Sequence, residues 1–459
     1  MALWSSDDAA KATGGRNTGE WQATGVSIDT RSIQPGELFV ALSDTRDGHD
    51  FVAQAFQKGA AAVLVSRVPE NLPENLPLLI VDDVLPALEA MGRAARERMQ
   101  GKVIGVTGSV GKTSTKEMLR AALARQGKLH AAEASYNNHW GVPLTLARMP
   151  RDSDFAIIEI GMSNPGEIAP LARMARPHAA LITTIAAAHM AAFEGLDGIA
   201  REKAAIFSGL VPGGAAIIPT GLSTTPILRE AADDVGAPIL SFGDDGEARL
   251  ISSEPDGETL RVRAALSGKP INFTLQSVGP HFAANSIGVL ATVSAIGADV
   301  IEAAKSLADW TPPKGRGRVE QLGGIRLIDD AFNANPSSMR AGLGTVSRLP
   351  GARRVAILGD MLELGGDEAE QHRLLASDPA MEAIGIVHSA GPLMRHMHDA
   401  LPAEKRGVWS EKADDLASRL DELVREGDTV IVKGSKGSYI SRVVDAMRKA
   451  GNMAGNTGT

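Results

Sequence analysis

Residues Thr107, Gly108, Ser109, Val110, Gly111, Lys112, Thr113 and Ser114 read TGSVGKTS, directly after the apolar run VIGV and at the start of a helical pattern that stops near Gly127. A glycine-rich turn between strand and helix presents backbone N–H groups to one point, and the helix N-terminus adds positive potential there. Such a turn collects phosphate. Lys112 supplies a mobile cation for β- and γ-phosphates, and the hydroxyl of Thr113 is placed to ligate Mg²⁺. The strict phosphate-loop pattern asks for glycine where Val106 stands, whereas the glycines here are 105, 108 and 111, so the loop is a variant. A nucleoside triphosphate site of this kind is compatible with a kinase, a switch GTPase, a transporter ATPase or a ligase.

Three further residues carry possible chemistry. Glu159 ends the apolar run FAIIEIG. It is either a strand-end carboxylate already in water or, beside a phosphate loop, a Mg²⁺ ligand, because an unpaired carboxylate inside a strand is costly. His189 follows LITTI within IAAAHMAAF, where a histidine is commonly a satisfied core residue. Lys203 in IAREKAAIF shares a helical face with Ile199, Ile206 and Phe207. A lysine there must snorkel to the surface or lose its charge.

The elements that must position these residues alternate. GELFVAL (36–42) and AAAVLVS (60–66) predict strands, 51–58 a helix between them, 69–77 a loop and 84–99 a helix. After the phosphate loop come strands at 154–161, 179–185 and 214–219, a more β-like stretch at 247–277 and a small-residue helix at 283–297. TPPKGRGR (311–318) predicts a linker, and the rhythm restarts at 325–331, 353–359, 383–391 and 428–435, with 451–459 as a frayed tail. The pattern predicts an α/β protein: a small N-terminal α/β domain (1–98), a central ATPase-like parallel sheet covered on both faces (99–313), and a C-terminal α/β domain (314–459) whose strand ends meet Gly-, Asp- and Asn-rich loops, where open sheets place ligands.

Composition narrows the class. The chain has 459 residues, 44% hydrophobic, which suffices for packed interiors and excludes a disordered tail or a small stapled scaffold. A net charge of −8 argues against a broad nucleic-acid footprint. The absence of cysteine removes disulfides, thiolate metal sites and thiol nucleophiles, and fits a reducing cytoplasm. Pro177–Phe193 and Pro270–Ala298 are uncharged but too polar for membrane spans, and MALWSSDDAAK lacks the pattern of a secretory signal.

The motifs DTRSIQPGELFVAL, DGHDF, GSVGKTSTKEML, NNHWGVPLTL, EIGMSNPGEI, IAREKAAIF, DDAFNANPSSMRAGL, LGDMLELG with His372 following, and VKGSKG run nearly end to end. On these the chain resembles the Mur ligases, ATP-dependent amide-forming enzymes of peptidoglycan synthesis. FNANPSSM and LGDMLELG point to the branch that adds D-alanyl-D-alanine to a UDP-N-acetylmuramoyl-tripeptide. The resemblance implies a UDP-sugar domain, a central ATPase and a C-terminal nucleotide-type (Rossmann-like) fold binding the incoming dipeptide. It assigns ATP and Mg²⁺ to Lys112 and Thr113, a second Mg²⁺ to Glu159 and His189, and carbamylation to Lys203. His281 and Asn285 match an adenine-side motif, although Phe282 stands where Asn is common. Arg316 and Asp330 would close onto ATP. Asp29, Thr30, Arg31, the Asp47, Gly48, His49, Asp50 turn, and Asn137 or Asn138 would hold the UDP-substrate. Asn333, Asn335, Lys433 and Ser435 would face the dipeptide. The usual D-S-R reads DTR here, TTIAAAH lacks the usual Asn, and the glycine expected after LFVAL is replaced within SDTRDGHD.

Such a protein is expected to be a cytoplasmic monomer whose partners are small molecules, with no nucleic acid and no membrane insertion. Two other functions compete. A sister ligase of the Mur or folylpolyglutamate type would add a different amino acid, and FNANPSSM with VKGSKG replaces the acidic, arginine-rich motif expected of a diaminopimelate binder. A nucleotide-dependent switch would bind without dipeptide-stimulated turnover.

Overall fold

The strand that delivers the phosphate loop, Lys102–Thr107, is buried from its second residue onward. Ile104 and Val106 enter one apolar core and Val103 the opposite one. Its neighbour Phe155–Glu159 divides in the same way, Ile157 to one side, Ala156 and Ile158 to the other. A strand covered on both faces must be apolar throughout, which is why these runs show no alternation.

The computed structural model describes residues 2–70, 72–73, 75–187 and 192–456. His189 lies outside the described residues.

The middle of the chain builds a nine-stranded sheet. In spatial order it runs Lys269–Leu275, Thr259–Leu266, Ala248–Asp256, Ile239–Gly243, Ala215–Pro219, Ala179–Ile182, Lys102–Thr107, Phe155–Glu159 and Leu129–Ala131. The pairs from Leu129–Ala131 to Ala248–Asp256 are parallel, and the last two strands add as an antiparallel meander. Alternation in Thr259–Leu266 reflects a strand with one wet face. The helix Pro280–Ala295 covers one face of this sheet, and Ile168–Ala175 with Gly195–Ala204 lies on the other.

The N-terminal part forms a five-stranded sheet, four of its strands parallel, flanked by a two-stranded ribbon of Trp4–Ser5 and Gln22–Ala23. The C-terminal part is a six-stranded sheet with Asp428–Lys433 near its centre, parallel on both sides, and Arg318–Leu322 as an antiparallel edge. Its cores lie on both faces, Ala356 and Leu358 in one, Val355 and Ile357 in the other.

Two details depart from the sequence expectation. The stretch 311–318 is tied down: Gly317 N donates to Asp329 O at 2.8 Å and Gly315 N to Asp329 Oδ2 at 2.9 Å. Its glycines hold φ of +73° and +89°, a conformation that glycine adopts without a Cβ clash. The C-terminal stretch is no frayed tail through residue 456. The helix Ser441–Asn456 continues there, docked by Val443, Val444 and Met447, with Gly451 close to Leu322.

The first two parts are welded. Leu144 and Ala147 of the helix Gly141–Ala147 enter the N-terminal core. Trp4 Nε1 donates to Ala147 O at 2.8 Å, Arg148 Nε to Val26 O at 2.6 Å, and Arg151 pairs with Asp8 at 2.8 Å. Helix Val84–Arg98 packs on Gly141–Ala147 so closely that a Cβ on Gly92 would stand 3.1 Å from Pro143 O. Links to the C-terminal part are sparser. Gln321 Nε2 donates to Glu258 Oε1 at 2.8 Å, and Arg316 reaches across the cleft.

Candidate active site

The strand ends of the middle and C-terminal sheets open onto one cleft of about 630 Å³, inside the usual range for small-molecule sites. On the middle side the loop after Lys102–Thr107 turns sharply, with Gly108 at φ +145° and Gly111 at +88° as the residue preceding helix Lys112–Leu123. The strand end Ala179–Ile182 braces it: Ser109 N donates to Thr184 O at 2.9 Å and Thr183 Oγ1 to Val110 O at 2.6 Å. A Cβ on Gly111 would approach the Asn285 amide at 3.0 Å, so the loop and helix Pro280–Ala295 meet at contact distance.

Lys112 folds back over the loop and donates from Nζ to Gly108 O at 2.7 Å. Burial pushes its ammonium below the ordinary lysine range, Glu159 opposes that shift, and Arg316 adds to it. Thr113 Oγ1 donates to Glu159 Oε1 at 3.0 Å, and Asn137 Nδ2 donates to the same oxygen at 2.8 Å. Glu159 is 2% exposed, and its other oxygen, Oε2, has no hydrogen-bond partner among the described residues. The strand-end-in-water reading of Glu159 is therefore set aside. A buried carboxylate oxygen left open beside a threonine hydroxyl suits a hard cation such as Mg²⁺, which takes oxygen ligands and retains waters and phosphate oxygens. Among the described residues no cluster of three His, Cys, Asp or Glu side chains forms a metal cage. The fit is to a cation shared with phosphate.

Lys203 is 1% exposed on helix Gly195–Ala204, with Ile199, Ile206 and Phe207 buried around it. It does not snorkel. Burial pushes its amine well below the ordinary range, and the nearby Lys112 charge pushes the same way.

The opposite wall comes from the linker and the C-terminal sheet. The guanidinium of Arg316 lies 4.0 Å over the Phe332 ring and donates from Nη2 to Ser135 Oγ at 3.0 Å. Lys433, at the end of Asp428–Lys433, pairs with Asp330 at 2.7 Å and donates to Asn333 O at 3.0 Å. Asn333 and Asn335 also line the cleft. Asn335 caps helix Pro336–Arg348, accepting from Ser338 N at 2.8 Å in a reciprocal capping box. His281 lines the cleft with Nδ1 buried and unpartnered among the described residues, and burial followed by the Lys433 charge lowers its pKa to about 4.

Several residues singled out from the sequence sit elsewhere or serve the fold. Ser435 is turned inward, accepting from Leu362 N at 3.0 Å and donating to Ala334 O at 3.3 Å, and is not among the cleft-lining residues. Asn138 lines the cleft while its Oδ1 accepts from Gly141 N at the start of the next helix. Residues 29–31 and 47–50 do not line this cleft. Arg31 pairs with Asp29 at 2.6 Å, and Thr30 Oγ1 donates to Gln54 at 2.6 Å. Asp47 binds Arg67 and accepts from His49 N at 3.0 Å, which holds its carboxyl far below the ordinary range. Gly48 and His49 are buried, and Asp50 is exposed. Conversely, Ser135 lines the cleft and the buried Lys116 holds the loop beside it through Ala132 O, without either having stood out in the sequence. Only Lys116 had a signal, standing four residues after Lys112 on the same helix face.

Matches to known proteins follow this arrangement. The model "Mur ligase family, catalytic domain" matches residues 22–100, "Mur ligase middle domain" matches 106–293, and "Mur ligase, glutamate ligase domain" matches 317–436. A UDP-N-acetylmuramoyl-tripeptide–D-alanyl-D-alanine ligase of Rickettsia prowazekii is 32% identical over 446 residues, 96% of this chain and 99% of the relative. The chain belongs to the Mur ligase family. The Escherichia coli K12 protein of the same name is 34% identical to this Mur ligase, covering 93% of the chain and 94% of the relative. The solved structure of MurF from Acinetobacter baumannii superposes with a TM-score of 0.86 at 28% identity, covering 97% of this Mur ligase and 98% of that chain. MurF from Thermotoga maritima in complex with ADP superposes with a TM-score of 0.78 at 24% identity over 94% and 98% of the two chains, and shares the fold. Among the described residues of this Mur ligase no helix is long and apolar enough to cross a membrane.

Proposed function

We propose that this Mur ligase uses ATP to join D-alanyl-D-alanine to UDP-N-acetylmuramoyl-tripeptide through an acyl phosphate. The observation that carries the reading is near-full-length likeness, through the C-terminal part that receives the amine, to relatives bearing that activity in their names. The cleft supports it, because phosphate-loop groups face Asp330, Asn333 and Lys433 across one space.

A carboxylate is a poor electrophile at neutral pH. The tripeptide carboxylate oxygen attacks the γ-phosphorus, the bond to the β-phosphate oxygen breaks, and ADP leaves. The dipeptide amine, in its neutral form, then attacks the acyl carbon. A tetrahedral intermediate forms, phosphate departs and the amine proton is lost, leaving the amide. Backbone N–H groups of Val110–Thr113 cradle the phosphates while Ser109 N stays bonded to Thr184 O, and Lys112 moves from Gly108 O to the transferring group, where fixed charge acts without reorganisation. Thr113 and the open oxygen of Glu159 would hold Mg²⁺, which would supply charge neutralisation on the phosphates. Lys203 enters as its carbamate: the neutral amine adds to CO₂, losing one proton, and the anion offers oxygens to a cation. His281 and Asn285 border the adenine. Arg316 and Asp330 close on ATP from the third domain, and Asn333 with Lys433 orient the dipeptide. Residues 29–31 and 47–50, in the 1–98 domain, hold the UDP-sugar away from the cleft. All these groups belong to one chain, so a monomer suffices, and the absence of cysteine suits the cytoplasm.

The test is phosphate release from ATP by the purified protein with UDP-muramoyl-tripeptide, with and without D-alanyl-D-alanine. Dipeptide-dependent release with formation of the pentapeptide product is expected. Stimulation by diaminopimelate or glutamate instead, or by no amine, overturns the reading.

A further inference from the structure

Ser135 sits in the loop between strand Leu129–Ala131 and helix Gly141–Ala147, and its hydroxyl touches both walls of the cleft. We propose that Ser135 is a positioning residue that transmits engagement of Arg316, from the C-terminal side, to the metal-holding pair Thr113 and Glu159. The inference rests on the ligase reading only in taking that pair as the cation site.

Counting protons fixes the direction of every bond. A guanidinium only donates, so Ser135 Oγ accepts from Arg316 Nη2 at 3.0 Å. Thr113 has one hydroxyl hydrogen, and it goes to Glu159 Oε1 at 3.0 Å. The 3.0 Å contact between the two hydroxyls is therefore Ser135 donating to Thr113. Three bonds run in one sense: Arg316 to Ser135, Ser135 to Thr113, Thr113 to Glu159. In such a chain each acceptance makes the next donation stronger.

The chain also decides what is left open. Thr113 Oγ1 spends its hydrogen on Glu159 and one lone pair on Ser135, which leaves one lone pair free. Glu159 Oε1 already accepts from Thr113 and Asn137, and Oε2 is the oxygen without a partner among the described residues. Both open positions are oxygen acceptors of the kind a hard cation takes. Without Arg316, Ser135 has no fixed donor and its hydroxyl is free to rotate, so the orientation of Thr113 is no longer enforced.

The loop that carries Ser135 is held in place by a buried cation. Lys116 is wholly buried, donates from Nζ to Ala132 O at 2.7 Å and Ala134 O at 3.4 Å, and pairs with Glu117 at 2.9 Å. The helix of the phosphate loop thereby fixes the backbone next to Ser135.

The experiment titrates Mn²⁺, as a spectroscopic substitute for Mg²⁺, into the full chain saturated with ADP and reads free Mn²⁺ by electron paramagnetic resonance. Ser135→Ala is expected to weaken Mn²⁺ binding about tenfold, which corresponds to about 1.4 kcal/mol. Ser135→Thr, which keeps the hydroxyl, is expected to stay within about threefold of the wild type. Arg316→Met is expected to weaken binding no further when combined with Ser135→Ala than when made alone, since both cut one chain. Unchanged affinity in Ser135→Ala, failure of Ser135→Thr to restore it, or multiplicative losses in the double variant would overturn the proposal. No peptide substrate is used. A protein that shows these metal effects but no dipeptide-stimulated phosphate release refutes the ligase reading and keeps this one.

Discussion

Replacing Lys112 by methionine separates the phosphate loop's architecture from its chemistry. Among the described residues the Lys112 ammonium makes one hydrogen bond, to Gly108 O at 2.7 Å. A charged hydrogen bond contributes roughly 1.5–3 kcal/mol. Against it stand the burial of the ammonium and repulsion from Arg316 and Lys203, partly offset by Glu159. Methionine keeps much of the stem's volume and removes both sides of this balance, so the change in stability should stay under about 1 kcal/mol. During phosphoryl transfer no such cancellation operates. Losing one preorganised donor to the developing charge costs about 2.7–4 kcal/mol, or roughly a hundred- to a thousandfold in kcat. Coupled phosphate release at saturating substrates, beside an unfolding curve, measures both quantities. A variant within about threefold of the wild-type rate, well under 1 kcal/mol, would refute the assignment. So would a collapse of the unfolding midpoint, since the loop would then depend on Lys112 for its fold. The variant carries a second signature. With the Lys112 charge gone, the Lys203 amine shifts back toward its ordinary range, less of it is neutral at a given pH, and incorporation of ¹³C from labelled bicarbonate should fall.

Lys203→Ala should lose most activity, with small added carboxylates restoring part of it. A wild-type protein that turns over fully while ¹³C NMR shows no carbamate would contradict the role given to Lys203. Acid should destabilise the fold through its buried histidines: His130, His178, His281 and His388 are each held down to about 4, chiefly by burial. Their folded values lie below the unfolded value near 6.5, so stability is intact above that pH and declines as pH falls toward 4. Melting temperatures measured from pH 7 to pH 5 should drop, and a flat profile would argue against four neutral histidines. Asn335→Ala should cost about 1 kcal/mol by removing a helix cap, whereas Asn335→Asp should keep stability. If Asn335→Asp also leaves the KM for dipeptide unchanged, Asn335 serves the helix alone.

Much of this was legible because period and composition follow burial. The strand at 353–359 coincides with the observed one, and those flanking the phosphate loop lie within a residue or two at most bounds, because strands covered on both faces must be apolar throughout. The loop itself was legible because glycine at 108 and 111 answers a backbone need. Glu159 and Lys203 each admitted two readings, and only packing decides between them, since exposure depends on residues distant in sequence. Ser135 and Lys116 were hidden for a different reason. Lys116 acts on backbone carbonyls and Ser135 through one hydroxyl in an irregular loop, and neither produces a periodic pattern. Ser435 was named from its motif, which locates the loop but not the direction its hydroxyl faces. The terminal helix runs on to Asn456, through most of the stretch read as a frayed tail.

The weld between the first two domains makes the enzyme a ruler. Trp4 bonded to Ala147, Arg148 bonded to Val26 and Gly92 pressed on Pro143 hold the N-terminal sheet at a set span from the phosphate loop. Each residue of extended peptide adds roughly 3.3–3.6 Å of reach. With the UDP-sugar held by the N-terminal sheet as proposed, a stem one residue short would leave its carboxylate that far from the γ-phosphate and one residue long would overshoot by as much, so the scaffold would select the length of the growing chain before any side chain is inspected.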